Sequence, residues 1–139
     1  MKVSANFDLR EYIHTDIYTK IGDRSADFLH PRLIYTVQAL RERFGAIRIN
    51  DWHTGGRFES SGLRLPHGGV GAMLSSHKFG TAADLKFASI TPEEVQNAIN
   101  SHQDQYPFIS RMENAIITKT WLHIECGSRR VGSIIVFNH

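Results

Sequence analysis

The sequence predicts an α+β domain in which a mainly antiparallel sheet is flanked by helices. Three observations carry that reading. Two segments, starting at Pro31 and Pro92, repeat apolar residues at helical spacing. Five others, 46–50, 82–88, 111–117, 120–126 and 131–137, have the apolar character of strands. These elements do not follow one another as regular βαβ units, which points away from a doubly wound parallel sheet. At 139 residues, with no repeat, linker or low-complexity stretch, the chain reads as a single domain over 1–139. Its first thirty residues form a less regular N-terminal segment.

From Pro31 to Phe44, Leu33, Ile34, Val37, Leu40 and Phe44 recur at steps of three and four, Pro31 suits the first turn, and Gly45 is a stop. The alternation of Ala46 to Asn50 predicts a short strand. Residues 51–80 are rich in Gly, Ser, Pro and His and lack periodicity; loops that long in a compact domain are usually functional. Ala82 to Ala88 reads as a strand. Thr91 is then an N-cap, with Pro92 at the first position, Glu94 closing a capping box, and Val95, Ala98 and Ile99 as the apolar face. Arg111 to Ile117 and Thr120 to Cys126 read as a hairpin turning near Thr118-Lys119, and Val131 to Phe137 as a last strand.

Composition excludes several classes of function. With 41% hydrophobic and 22% charged residues the chain is not a disordered one. Its single Cys126 rules out an internal disulfide or a Cys-rich zinc module. A net charge of +2, with no basic run beyond Arg129-Arg130, argues against a nucleic-acid partner. Membrane insertion is not expected without a run of about 18 apolar residues. Met1 to Glu11 lacks the apolar stretch of a secretory signal, so synthesis in the cytoplasm is expected. Against that background, 8 histidines stand out.

The densest chemistry lies in Ser75-Ser76-His77-Lys78-Phe79-Gly80-Thr81-Ala82-Ala83-Asp84. Strand alternation places Ala82 and Asp84 on one face, and a carboxylate there needs a partner or a metal. Alone, His77 and Asp84 could be a hydrogen-bonded pair holding the loop. In the second stretch, Trp121, His123 and Glu125 share a face opposite Leu122 and Ile124. Two His and one carboxylate, with a fourth position open, is the usual make-up of a catalytic zinc site.

Ser75-x-His77-x-x-Gly80-x-Ala82-x-Asp84, followed by Trp121-x-His123, resembles the zinc peptidases that cut peptidoglycan stem peptides. These are the D-alanyl-D-alanine carboxypeptidases and L-alanyl-D-glutamate endopeptidases, including many bacteriophage endolysins, and the hedgehog signalling domain shares their fold. Ser61 to Pro66, Asn50 to Gly56 and the closing Ile134-x-Val136-Phe137 extend the likeness over roughly residues 31–139. The resemblance implies a monomeric zinc metallopeptidase acting on the bacterial cell wall, as an endolysin or a virion-associated protein. It implies His77, Asp84 and His123 as Zn2+ ligands, Arg64 as a substrate-binding and oxyanion-stabilising residue, and Ser75 as a small polar residue of the substrate-binding loop. Arg57 is an alternative to Arg64.

One departure matters. Many members carry the catalytic carboxylate three residues before the last His ligand, where this chain has Thr120. Glu113 is the first choice of general base, since a hairpin with a three-residue turn would set it beside His123. Glu125, on the face of His123, is the rival. His53 is read either as a substrate contact or as a loop-stabilising residue beside Trp52. His14, His30, His67, His102 and His139 carry no assigned role, and Cys126 is read as a buried, apolar-like residue. A non-catalytic, zinc-containing binding module of the same fold is the alternative, supported by Thr120. A His-metal nuclease is a weaker third reading.

Overall fold

The computed structural model describes residues 1–67, 69–129 and 131–138. Three helices, α1 (Thr15–Ile21), α2 (Pro31–Phe44) and α3 (Pro92–Ser101), accompany strands β1 (Ile47–Arg48), β2 (Ala82–Phe87), β3 (Ile109–Glu113), β4 (Leu122–Cys126) and β5 (Ile135–Phe137). The strands form one sheet in the order β1-β2-β4-β3-β5. Pairings β1–β2, β2–β4 and β3–β4 are antiparallel and β3–β5 is parallel. This is a small α+β domain with a mixed, mainly antiparallel sheet.

Both helices expected from periodicity form. Pro31 occupies the first turn of α2, which buries Leu33, Val37 and Leu40. The Thr91–Glu94 capping box starts α3, which buries Val95 and Ile99. These faces meet Ala83, Leu85, Leu122, Ile124 and Met112 from one side of the sheet. The opposite side is left for chemistry. The N-terminal segment is not peripheral: Phe7, Leu9, Tyr12 and Ile13 are fully buried in the same core.

Three strand expectations need correction. β3 runs over 109–113 rather than 111–117, because the Asn114 side chain accepts from the Ile116 N–H and opens a series of turns. The tight turn near Thr118-Lys119 is accordingly replaced by a longer connection over residues 114–121. The last strand is confined to 135–137, and it pairs in parallel with β3.

A register shift lies between Ile109 and Arg111: Ile109 faces Cys126 and Arg111 faces Glu125, so Ser110 is extra. This bulge resets the alternation. Ile109 and Met112 are both fully buried although three residues apart, and Arg111 and Glu113 turn to the opposite side of the sheet.

Candidate metal centre

The centre is assembled on the sheet face away from the helices. Register pairs Asp84 of β2 with His123 of β4, and Ala82 with Glu125. The small Ala82 leaves room between the acidic side chains. His77 comes from a 3₁₀ turn, Ser76–Phe79, whose chain reverses at Gly80 in a left-handed conformation, φ 70°. A Cβ at Gly80 would overlap the Phe28 carbonyl oxygen, so only glycine fits there.

The result is a compact, buried trio. His123 Nδ1 lies 2.8 Å from Asp84 Oδ1, His77 Nε2 lies 3.3 Å from the same oxygen, and the two nitrogens are 3.2 Å apart. A tetrahedral ion with donors at about 2.0–2.1 Å would separate them by about 3.3 Å. The outward ring nitrogens are engaged too. His77 Nδ1 donates to the Gly62 carbonyl at 3.0 Å, and His123 Nε2 donates to Glu125 Oε1 at 3.1 Å. Those bonds leave the second nitrogen of each ring directed at the shared centre, the arrangement that orients histidine ligands. This trio could hold a metal ion.

Asp84 divides its two oxygens. Oδ1 faces the histidines, and Oδ2 accepts from Arg64 Nη2 at 3.2 Å while Arg64 Nε donates to the Ser60 carbonyl at 2.7 Å. Burial would raise the Asp84 pKa, but the hydrogen bonds and charges of His123 and His77 prevail and hold it below the usual carboxylate range. For His123 burial acts to lower the pKa, and Asp84 and Glu125 overcome it, pushing the imidazole up to about 9. Glu125 is lowered against its own burial by His123.

A cleft of about 570 Å³ opens above the trio, lined also by Arg64, Ser75, Glu113, Glu125, Trp121 and Phe137. Phe137 of β5 packs edge-on against the His123 ring at 5.9 Å and carries the Arg111 guanidinium 4.3 Å from its own centroid. Glu113 reaches the cleft because of the bulge. Thr120 instead lines a neighbouring cavity of about 770 Å³ together with Arg57. In that cavity burial pushes the Lys86 ammonium down to about 8 despite the pull of Asp84 and Asp51.

His53 is not among the residues lining the cleft; it lies in the turn Trp52–Thr54 with its ring 5.7 Å from that of Trp52. Cys126 is buried, and burial pushes its thiol up to about 12. Three other histidines have local partners. His14 and His30 cap α1 and α2 by accepting from Asp16 N and Arg32 N, each at 3.1 Å, and His102 Nδ1 lies 3.2 Å from the Ala98 carbonyl. His67 is exposed, and His139 lies outside the described residues. Sequence reasoning missed Thr118, whose buried hydroxyl has no hydrogen-bond partner among the described residues and which lines the cleft. It missed Lys86 as well, although Lys86 shares the strand face of Asp84 at i+2.

Comparison of the chain with protein-family models, curated proteins and solved structures gives no match.

Proposed function

We propose that the protein is a zinc metallopeptidase that hydrolyses peptidoglycan stem peptides or cross-links, of the D-Ala-D-Ala carboxypeptidase or L-Ala-D-Glu endopeptidase type. A hedgehog-like fold and action on the bacterial cell wall, as an endolysin or a virion-associated lysin, belong to the same reading. One observation carries it: two imidazole nitrogens and one carboxylate oxygen converge within 2.8–3.3 Å at the floor of a cleft that also holds Glu113. A nitrogen-rich set with a single carboxylate suits zinc better than the oxygen-loving magnesium or calcium.

Zinc, when bound, supplies a Lewis acid that polarises a carbonyl and acidifies a water. The chain supplies the rest. Glu113 accepts the proton of the attacking water and returns it to the leaving amine. Arg64, fixed by Ser60 and Asp84, sets a permanent positive charge beside the developing oxyanion. Glu125 keeps the His123 ring in place through its Nε2–H.

Zymography on purified cell walls tests this. Clearing that a chelator abolishes and zinc restores is the expected result, and mass spectrometry of the released fragments then reads which bond is cut. A zinc-loaded protein that clears nothing supports the non-catalytic binding module instead.

A further inference from the structure

Four side chains from three strands close a circuit around one member of the metal trio. The His123 Nε2–H donates to Glu125 Oε1 at 3.1 Å, and Arg111 Nη1 lies 3.5 Å from Glu125 Oε2. The Arg111 guanidinium sits 4.3 Å from the Phe137 centroid, and the Phe137 ring returns to the His123 ring at 5.9 Å, inclined to it by 84°. Register brings the four together. Arg111 stands opposite Glu125 across β3 and β4, and the parallel pairing of β5 sets Ile135 beside Arg111 and Phe137 beside Glu113. The Asn114 N–H donates to the Phe137 carbonyl at 2.8 Å and fixes the strand there. Without Arg111 and Phe137, Glu125 would keep its bond to His123 but lose the contact that holds its other oxygen. The His123 ring would lose the ring packed against it.

Charge alone argues the other way. Arg111 lines the cleft, and a guanidinium close to a cation repels it. If Arg111 contributed only its charge, removing it would tighten metal binding. If it holds a ligand in place, removing it does the reverse.

We infer that Arg111 and Phe137 are positioning residues of the metal centre, acting as one unit through Glu125 and His123, so that the docking of β5 sets the affinity for the ion. The inference rests on the trio holding a metal, and not on the peptidase reading.

Zinc affinity of the full chain, measured by competition with a chromophoric chelator, tests it. Arg111→Met and Phe137→Leu should each bind zinc about tenfold more weakly than the wild type, the lower end of the effect expected for partners standing behind a ligand. The double variant should also lose only about tenfold, because either change opens the same circuit. Phe137→Tyr, which keeps the ring, should bind as the wild type does. Val136→Thr, on the same strand with its side chain on the opposite face, should leave the affinity unchanged. Unchanged or tighter binding in Arg111→Met, losses that simply multiply in the double variant, or a loss in Phe137→Tyr or Val136→Thr equal to that in Phe137→Leu overturns the inference. If the wild type takes up no zinc, the metal reading fails, and the circuit is judged by NMR of the metal-free protein. The His123 Nε2–H should then be protected from exchange in the wild type and exchange faster in both single variants. Equal exchange in all three overturns the inference on that route.

Discussion

Asp84 and His123 face each other across the β2–β4 ladder, and their Oδ1 and Nδ1 atoms lie 2.8 Å apart. A proton on His123 Nδ1 and a metal ion therefore compete for one place. With the imidazole pushed from 6.5 up to about 9, metal uptake near neutral pH must expel that proton. Addition of zinc to metal-free protein in weakly buffered dye solution should release protons, and the measured affinity should climb as the pH approaches 9. An affinity independent of pH would contradict the geometry.

The same pair sets the acid–base stability of the metal-free protein. The folded state holds the His123 proton more tightly than the unfolded chain, so this contribution is complete below pH 6.5 and drains away as pH rises through about 9. Asp84 acts in the other direction. Its folded pKa is lowered, so its contribution is present above pH 3.8 and is lost as pH falls below that. Urea denaturation in the presence of chelator should give losses on the order of a few kcal/mol on both flanks. Substituting Asp84→Asn should flatten both.

Glu113 and Glu125 stand on adjacent strands of one cleft, and Glu125 is bonded to His123 of the trio. Glu125→Gln should weaken zinc binding by about 10–100-fold. Glu113→Gln should keep full zinc content and lose about 10²–10⁴-fold in hydrolysis. Metal analysis and cell-wall clearing on the two purified variants separate the roles, and an active Glu113→Gln enzyme sinks the base assignment.

Gly80 ends the turn that carries His77, and its missing Cβ is where the Phe28 carbonyl oxygen sits. Gly80→Ala should cost more than about 3 kcal/mol in thermal or chemical unfolding, or move His77 and lower metal affinity. Gly45, whose added Cβ meets nothing within 4 Å though its φ is 87°, is the control for backbone strain alone.

Much of the centre was legible because its residues obey short-range rules. Period two alone puts Asp84 on the face of Ala82, and His123 on that of Glu125, and Pro31 and Thr91 announce their helices. What escaped depends on longer paths. The parallel direction of β5 is set by how the chain crosses from Cys126 to Ile135, which no local pattern encodes. The early end of β3 follows from one Asn114 side-chain bond. The N-terminal segment hides its core residues Phe7, Leu9, Tyr12 and Ile13 because 3₁₀ turns have no sustained periodicity. His14 and His30 escaped assignment since histidine is not among the preferred N-caps, although each accepts the bond that a serine or aspartate would take.

The extra residue Ser110 lets a single short strand answer to two masters. Ile109 is counted from one parity and Glu113 from the other, so greasy and acidic side chains point to opposite sides without breaking the ladder. Deletion of Ser110 removes no member of the metal trio or the cleft, and it leaves Ile109, Arg111 and Met112 in unbroken alternation against Cys126, Glu125 and Ile124. A frame-keeping loss of that one codon would thus straighten the strand while keeping Ile109 in the apolar layer and Glu113 on the side of the cleft.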